Sequence, residues 1–459
     1  MVSTVPSTAT ACTIKTPVRR KSKKTVLAAA AVAIVFIGGG ALFINYEPSS
    51  TSHPPRDDVA RSLENLSPAK PSIAVLPFAN LSNDADQEYF SDGITQDIIT
   101  DLSKFREMAV TASTTVFDYK GKSPRIKELG DELNVKYILE GSVQKAGNQV
   151  RINAQLIDAA TGNHIWAQRF SRPYEDIFEL QDEIIETLVR KLAVKVHQSE
   201  RALAMSKSTD NLEAYDYYLQ AYHHHYQRTL DGNIKARKLF QEAITLDPDY
   251  AAAYAGLAKV RTWAVNYGWT EFPNVVLQEA LDLAKKAVQL DDSDAGAHGE
   301  LGYIYMRFGE YDLAQTELQK AIDLNPNDRI NYRYMGAVML YAGQPTESLE
   351  WYDKVLEFDP YLSPGVYMNI GIAHYLKGDE DKAILWLKQA ATKWPTFLGC
   401  HILLASIYGQ SGQMDLAEAE KAKILSISPF FKLDFYGQAY QNPAHREKIV
   451  AGLRKAGLT

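Results

Sequence analysis

The sequence predicts a multi-domain protein of mixed class, in which an α/β part is followed by an all-α part. Three observations support this prediction. Residues 25–44 form an uncharged apolar run, residues 72–200 alternate between strand-like and helix-like patterns, and prolines recur at a nearly constant spacing after residue 320. Together these patterns predict a single transmembrane helix, a small mixed α/β sheet domain and then an α-solenoid of paired helices.

The N-terminal region predicts a membrane anchor. Residues 1–24 contain six Lys or Arg residues and no acidic residue, and residues 25–44 contain no charge at all. A run of this length crosses about 30 Å of hydrocarbon as a helix. Because basic flanks stay in the cytoplasm, we expect a single-pass inner-membrane protein with a cytoplasmic N-terminus and periplasmic C-terminal domains. A cleaved signal peptide is the alternative, and the small residues of the run would allow a homodimer through the anchor.

The charge of the chain argues against one class of partner. The net charge of the chain is −7. Residues 1–24 carry a charge of +6, so the remaining residues carry −13. An acidic body lacks the basic face that phosphate binding requires, so no nucleic-acid partner is expected. Cys12 and Cys400 are the only cysteines of the sequence, and two such residues provide no disulfide framework.

A linker separates the predicted anchor from the first folded domain. Residues 45–71 are rich in Pro, Ser and Thr, a composition that stays extended because it cannot build a core. The α/β domain that follows, over 72–200, opens with a predicted strand at 72–79. A helix at 87–105 and a strand at 108–113 come next.

The second half of this domain predicts a helix and two hairpins. A proline opens the predicted helix at 124–134. Proline suits the first turn because the N–H that it lacks would have no partner within the helix there. The glycine-containing turns KAGNQ and AATGNH separate alternating apolar and polar runs, which is typical of hairpins. The predicted strands are 135–146, 149–159 and 163–171, and a helix at 174–198 ends the domain.

The loop between the first strand and the first helix is acidic and is a candidate active site. It carries Asp84, Asp86, Glu88 and Asp92, and it has no glycine before Gly93 that would let backbone N–H groups approach a phosphate. The carboxylates fit no calcium loop, and acids are favoured at a helix start by the helix dipole. We therefore predict no catalytic residue, no cofactor and no metal site. The competing hypothesis is an unrecognised enzyme within 72–200.

The segments SIAVLPFANLSNDADQEYFSDGITQDIITDLSK and YILEGSVQKAGNQVRINAQLIDAATGNHIWAQRF resemble the TolB-amino-terminal-like domain. In bacterial membrane proteins this domain accompanies a cytoplasmic class III adenylate cyclase or winged-helix domain. The resemblance implies a binding or sensing module without catalytic residues. Since only 24 residues precede the predicted anchor, we expect the cytoplasmic effector to be missing. The resemblance also leaves open an outer regulatory subunit that signals to a separate effector.

The second half of the chain carries an internal repeat. Pro326, Pro360, Pro395 and Pro429 follow one another at steps of 34, 35 and 34 residues. A 34-residue period with two helices per unit is the signature of the tetratricopeptide repeat, abbreviated TPR. We predict six units within residues 210–431, followed by a capping segment at 432–459. The predicted units are 217–250, 251–294, 295–328, 329–363, 364–397 and 398–431.

The repeat predicts a protein-binding groove. In each unit the first helix lines the concave surface, and side chains on one face of that helix point into it. The predicted groove residues are aromatic, apolar or basic, a mixture suited to an extended or helical peptide with acidic points. They are Lys259, Trp263, Tyr303, Met306, Arg307, Arg333, Tyr341, Met368 and Tyr375. The competing interpretation is that these side chains pack between units. We expect a protein or peptide partner and a non-catalytic scaffold or sensor.

Overall fold

The computed structural model describes residues 70–459, apart from residues 83, 359–361, 430, 434, 435 and 438. The predicted basic tail and the predicted membrane span at 25–44 therefore lie outside the described residues, as does nearly all of the predicted linker. The described chain consists of a mixed α/β domain and an array of paired helices.

The predicted fold class was wrong in including a single transmembrane helix. Among the described residues, no helix is both long enough and apolar enough to cross a membrane. Leu398–Gln410 is strongly apolar, but its 13 residues rise only about 20 Å, less than the ~30 Å of a bilayer core. Pro273–Leu290 has 18 residues but carries Glu279, Asp282, Lys285 and Lys286. The described fold is a helical solenoid with a small mixed sheet.

The sheet has the strand order β3-β1-β4-β5-β6, and β2 pairs with β4 off this path. The strands are β1 Ser72–Val75, β2 Ala79–Asn80, β3 Ala109–Val110, β4 Tyr137–Ala146, β5 Gln149–Asp158 and β6 His164–Pro173. β1 runs parallel to β3 and β4, whereas β4, β5 and β6 pair antiparallel, which confirms the two predicted hairpins. Gly147 and Gly162 occupy the hairpin turns with φ of 55° and 72°, a conformation that glycine adopts without strain.

One predicted strand is interrupted in the structure. The predicted strand at 72–79 is divided into β1 and β2. Pro77 lies between them and has no N–H to donate to a ladder. The N–H of Phe78 is also diverted, because it donates to Thr95 Oγ1 at 2.9 Å. The chain therefore leaves the sheet for three residues and rejoins it at Ala79.

Five helices complete the α/β domain. They are α1 Glu88–Ser103, α2 Ser113–Val116, α3 Ile126–Leu133, α4 Ile177–Lys191 and α5 Gln198–Ala204. The apolar residues of α1 and α4 form one buried cluster with alternate residues of β4 and β5, such as Val143 and Ile152. On the other face, Ile138 and Ile157 are also buried, whereas residues further along, such as Ser142 and Asn153, are polar, and Asn153 Nδ2 donates to Ser142 Oγ at 2.9 Å. The sheet thus buries one face and only part of the other.

Twelve helices follow in six pairs, which we call units 1 to 6. They are α6 Leu212–Tyr226 and α7 Leu230–Leu246, α8 Ala251–Asn266 and α9 Pro273–Leu290, α10 Ala295–Phe308 and α11 Tyr311–Leu324, α12 Arg329–Tyr341 and α13 Pro345–Phe358, α14 Pro364–Lys377 and α15 Glu380–Lys393, and α16 Leu398–Gln410 and α17 Met414–Ile427. A small residue lets the two helices of a unit approach closely: a Cβ built on Gly302 would lie 2.7 Å from Leu318 Cγ.

The same polar pair holds together unit 3 and unit 6. His298 Nδ1 lies 2.6 Å from Glu317 Oε2, and His401 Nδ1 lies 2.6 Å from Glu420 Oε2. In both cases the other ring nitrogen hydrogen-bonds a backbone carbonyl oxygen. Both histidines are almost fully buried. The pair links the two helices of each unit, and its partners satisfy the buried imidazole on both sides.

The α/β domain packs against the helix array. Tyr215 and Leu219 of α6 belong to the core cluster of the α/β domain. Further along, Asn327 Nδ2 donates to the carbonyl oxygens of Ser103 and Phe105, at 2.9 and 3.0 Å. The domain therefore contacts both unit 1 and the loop that joins unit 3 to unit 4.

Residues 431–459, which we call the C-terminal segment, fold back onto the helix array. Their helix, α18 Pro443–Lys455, packs on α16 so closely that a Cβ on Gly452 would lie 2.2 Å from the Ser406 carbonyl oxygen. Ser406 Oγ also donates to the Ile449 carbonyl oxygen at 2.8 Å. Residues that precede α18 reach back to unit 4, where the Gln441 N–H donates to the Tyr341 carbonyl oxygen at 2.9 Å.

Candidate functional site

The first helices of the six units form a continuous inner face. Consecutive first helices, from α6 through α16, contact one another along the array. This stacking places equivalent positions of successive units side by side, as in other helical solenoids. The inner face divides into two sections that differ in what covers them.

The open section is centred on Trp263 and runs from unit 1 to Arg333 and Tyr334 at the start of unit 4. The His225 ring lies 4.2 Å from the Trp263 ring, and the Tyr267 ring lies 5.5 Å from the Trp263 ring. Tyr267 then stacks on Trp269 at 4.7 Å and 17°. Trp269 lies in the six-residue turn between α8 and α9. A row of four rings therefore extends from unit 1 to the turn of unit 2.

Cationic side chains accompany these rings. The Arg228 guanidinium lies 5.9 Å from the Trp263 ring centre, and the Arg333 guanidinium lies 5.5 Å from that of Tyr334. Arg307 donates to the Asn266 side-chain oxygen. Burial, together with the nearby cations, lowers the pKa of His225 to about 3, so its ring stays neutral at pH 7. The positive charge of the open section therefore comes from its arginines and Lys259, and His225 contributes none.

A buried carboxylate lies close to Lys259 on the same face. Burial raises the pKa of the Glu300 carboxyl, and Lys259 opposes that shift. Conversely, Tyr222 raises the pKa of Lys259, and Glu300 adds to this effect although burial acts against it. Lys259 is half-buried, and its ammonium lies 5.8 Å from the Tyr222 ring centre. Lys259 therefore stays charged and is partly compensated within the protein.

The covered section comprises Tyr341, Met368, Tyr375 and Ser406, which lie beneath the C-terminal segment. The Tyr440 ring lies 5.2 Å from the Tyr341 ring, and Lys448 Nζ lies 4.6 Å from the centre of the Tyr375 ring. Tyr341 is half-buried, and the other three side chains are buried. Met368 and Tyr375 belong to one hydrophobic core cluster with Tyr436, Tyr440, Ile449 and Leu453 of the C-terminal segment, and Tyr341 packs against this cluster. The chain itself thus fills this part of the groove.

The nine predicted groove residues are divided between the two sections. Lys259, Trp263, Met306, Arg307 and Arg333 are half-buried on the open side, and Tyr303 is buried there. Tyr303 stacks on Tyr334 at 4.4 Å, and its hydroxyl accepts a hydrogen bond from Asn266 Nδ2 at 3.0 Å. Tyr341, Met368 and Tyr375 lie in the covered section.

Sequence reasoning overlooked two parts of this surface. Tyr267 and Trp269 fall in the stretch NYGWTEFPNV, whose extra length within the second predicted unit indicates only a lengthened turn. The aromatic content of that turn was the available signal. The occupant of the covered section was also missed, although Tyr436 and Tyr440 in the tail provided a signal, because paired aromatics near a chain end favour docking on a core.

The acidic loop of the α/β domain forms local contacts. The Asp84 side chain accepts a hydrogen bond from the Asp86 N–H at 3.0 Å. Lys120 Nζ lies 3.0 Å from Glu88 Oε1 and 2.5 Å from Asp92 Oδ2. Three consecutive histidines lie within Tyr222–Tyr226, at the end of α6. His225 packs on Trp263, whereas His223 Nδ1 lies 3.6 Å from Asp92 Oδ2.

Known families match both parts of the chain. Residues 69–187 match the family described as HilA/YgeH-like transcriptional regulator, second domain. Residues 277–337 and 335–396 match two tetratricopeptide repeat families. The chain contains TPR repeats and a HilA-like domain. The predicted repeats are thus confirmed over 277–396, and the finer TolB-like resemblance stays a prediction.

Two curated relatives cover larger parts of the sequence. A protein named putative adenylate cyclase 3, from Rhizobium meliloti, is 42% identical over 253 residues, which are 55% of this chain and 43% of that protein. Transcriptional regulator HilA of Salmonella typhimurium is 23% identical over 349 residues, 75% of this chain and 61% of that protein. The chain therefore spans less than two thirds of the length of either relative.

Solved structures show local similarity at low identity. A structure titled for the functional characterisation of Pseudomonas aeruginosa pilF is 18% identical and covers 48% of this chain and 94% of that chain, with a TM-score of 0.39. The type IV pilus biogenesis factor PilW is 15% identical and covers 48% of this chain and 96% of that chain, with a TM-score of 0.41.

Proposed function

We propose that this protein is a non-catalytic binding module that takes up a segment of a partner protein on the open section of its TPR array. The observation behind this proposal is the row of rings centred on Trp263 with arginines beside it. TPR repeats are protein-interaction scaffolds, which supports the class of function. The covered section is occupied by the C-terminal segment, so the open section is the part of the groove to which we assign the partner.

The chemistry of the open section defines the partner that would fit. Tryptophan, tyrosine and arginine dominate binding energy at protein interfaces, because they desolvate large areas and still form directed contacts. Trp263 offers an aromatic face, whereas Arg307 and Arg333 offer hydrogen-bond donors to carboxylates. We therefore propose an extended or helical segment with an apolar anchor residue and nearby acidic residues.

Peptide selection would test this proposal. Random peptides displayed on phage would be selected against the purified chain, and the affinity of the enriched peptides would be measured by fluorescence anisotropy. We expect sequences with acidic residues flanking an aromatic or aliphatic residue. The variant Trp263→Ala with Arg307→Ala should weaken binding at least about tenfold, equivalent to ~1.4 kcal/mol.

The matched control is Leu385→Ala on a second helix, where the side chain is 55% exposed. It should leave the affinity unchanged. Enriched peptides that lack acidic residues, or that bind equally well to the double variant, would contradict the proposal.

The relatives favour a second candidate function, that of a regulatory part in bacterial signalling. One relative is named an adenylate cyclase and the other a transcriptional regulator, and the stretches they share with this chain include much of its described part. A regulatory subunit would bind a separate effector of either kind. A two-hybrid screen against the cyclases and winged-helix proteins of the same genome would test this, and the absence of any pair sensitive to Trp263→Ala would oppose it.

A further inference from the structure

A cavity of about 360 Å³ lies where the α/β domain meets units 1 to 4. It is lined by α1 of the α/β domain, by α6 and α8 of the array, and by the loops that join units 2 to 3 and 3 to 4. This volume falls in the range of small-molecule sites, which start near about 300 Å³. The Trp263 stack is not part of the lining but adjoins it, because the Tyr226 ring lines the cavity and lies 5.7 Å from the His225 ring.

The lining is rich in carboxylates. Seven aspartates and three lysines line the cavity. Two of the lysines are already paired, because Lys104 lies 2.8 Å from Asp101 and Lys207 lies 2.9 Å from Glu179 outside the lining. The aspartates come from separate elements: Asp97 from α1, Asp182 from α4, and others from the loops between units. The fold therefore brings carboxyl groups from distant parts of the chain around one space, and burial raises the pKa of several of them.

Two buried acceptor atoms of α1 that belong to cavity-lining residues have no hydrogen-bond partner among the described residues. They are Asp92 Oδ1 and Gln96 Oε1, and both residues line the cavity. The other polar atom of each side chain is engaged. Asp92 Oδ2 pairs with Lys120 Nζ at 2.5 Å, and Gln96 Nε2 donates to Thr100 Oγ1 at 3.2 Å. An acceptor gains most from a donor where it is shielded from solvent, so these two atoms can accept hydrogen bonds from a bound group.

Aromatic rings form the wall on the side of the helix array. Tyr218, Tyr222, Tyr226 and Tyr250 all line the cavity. The Tyr222 and Tyr226 rings lie 5.8 Å apart, and the Tyr218 and Tyr250 rings lie 5.2 Å apart. Tyrosine faces attract cations through the ring quadrupole and also pack against apolar groups.

We propose that this cavity binds a small organic cation, whose ammonium or guanidinium group donates to Asp92 and Gln96 and whose apolar body packs on the tyrosines. Because carboxyl groups outnumber lysines in the lining, the cavity favours a cation over an anion. Because two acceptor atoms have no partner there, it favours a cation that carries N–H donors. The rings select an apolar or aromatic body over a bare metal ion. The ligand would contact both the α/β domain and the array, and the proposal is independent of the partner groove.

Three probes that share one phenyl-based skeleton would test the charge requirement. They are 2-phenylethylamine, 2-phenylethanol and 3-phenylpropanoate, which are cationic, neutral and anionic at pH 8. Calorimetric titration into the purified full chain should give a Kd of about 1 mM or tighter for the amine. The alcohol and the carboxylate should bind at least about tenfold more weakly. Equal binding of amine and alcohol, or no saturable binding of the amine, would overturn the proposal.

Two variants locate the binding. Gln96→Met removes one unpartnered acceptor and keeps the side-chain length. Asp97→Asn removes a charge and keeps the acceptor oxygen for Tyr215 and Gln181, which both donate to Asp97. Burial raises the pKa of Asp97 to about 7, so the fold does not depend on its charge. Each variant should weaken amine binding about three- to tenfold.

The matched control is Asp312→Asn, an exposed aspartate on α11 outside the cavity. It should bind the amine like the wild type. Hydrogen exchange supplies an independent readout, because the amine should slow exchange in α1 and α6. Unchanged affinity of both cavity variants, or protection that is confined to other helices, would assign the binding elsewhere and refute the site.

Discussion

The open and covered sections of the inner face are made from the same repeat, yet they differ in what completes them. From unit 1 to Arg333 of unit 4, aromatic rings and arginines pack on one another around Trp263. From Tyr341 of unit 4 to unit 6, the equivalent surface is completed by Tyr440, Ile449 and Leu453 of the C-terminal segment. The difference teaches that a repeat pattern identifies which side chains face inward but does not reveal whether that face is free.

The largest effect is expected at the closest contact of the covered section. Gly452→Val would place side-chain atoms against the Ser406 carbonyl oxygen, where even a Cβ would lie at 2.2 Å. Because backbone cannot move aside as a side chain can, α18 should detach, at a cost of about 3 kcal/mol or more. Limited proteolysis should then cut within 431–459, and the melting temperature should fall.

Ala444→Val is the control for the Gly452 variant, because Ala444 is exposed at the start of the same helix. It should change neither proteolysis nor melting. A Gly452→Val protein that keeps both wild-type properties would show that the C-terminal segment is not needed to complete the array.

A smaller effect is expected for Tyr440→Ala. The Tyr440 side chain is 8% exposed and packs on Tyr341. Truncation of a buried aromatic leaves a cavity and should lower the free energy of unfolding by about 2–4 kcal/mol. Urea denaturation followed by circular dichroism would measure it. Tyr137→Ala on a half-buried strand position of the other domain serves as comparison and should cost less. Equal losses would mean that Tyr440 contributes no more than a peripheral ring.

The polar pair of unit 3 predicts a pH dependence. Burial lowers the pKa of His298, but its hydrogen bond with Glu317 and its contact with the Asp292 carbonyl outweigh burial, and the net shift is upward. A histidine whose pKa is higher in the folded than in the unfolded state stabilises the fold fully below the unfolded pKa of about 6.5. This stabilisation is lost as pH rises through the pKa of the folded state.

His298→Gln should therefore destabilise the protein by about 1–2 kcal/mol at pH 6 and by less at pH 9. Denaturant titrations of both proteins at several pH values would measure the difference. The exposed His164→Gln provides the control and should show no such trend. A deficit for His298→Gln that grows with pH would reverse the sign and refute the argument.

The smallest effect on stability is expected for Arg333→Ala in the open section. Arg333 is half-buried and lies over Tyr334, a contact worth about 0.5–1 kcal/mol. Arg329, one turn earlier on the same helix, is 5% exposed and donates to Thr115 Oγ1 of the α/β domain at 3.1 Å. Arg329→Ala should therefore cost clearly more in thermal denaturation. If the two variants melt at the same temperature, Arg333 contributes to the stability of the fold as much as Arg329 does, which would contradict its assignment to the open binding surface.

Much of the local structure could be predicted from sequence. The hairpin turns at Gly147 and Gly162 carry their own signal, because only turn residues interrupt two alternating runs there. The close approach of Gly302 to Leu318 and to the Ala314 carbonyl oxygen also follows from the repeat, since the repeat fixes which small residues face each other. These features depend on neighbours within one repeat or one hairpin.

The candidate site was less predictable. The repeat alone could not show that Tyr341, Met368 and Tyr375 would lie beneath the tail, because that contact joins residues about 70–100 positions apart in the sequence. Tyr303 was expected in the groove, but its stacking on Tyr334 and its hydrogen bond from Asn266 bury it between units. The predicted membrane span lies outside the described residues, and the described helices are too short or too charged to supply one.

By itself, the sequence determined the elements whose signals are local: the hairpins, the helix pairs and the small residues where paired helices meet. These follow from side-chain periods of 2 and 3.6 and from turn chemistry, which act over a few residues. The tertiary structure decided what lies against the inner face. It placed the C-terminal segment on units 4 to 6 and the α/β domain beside units 1 to 4, and it gathered aspartates from four separate stretches around one cavity. Such contacts depend on burying apolar surface between distant elements, and no local pattern encodes that pairing.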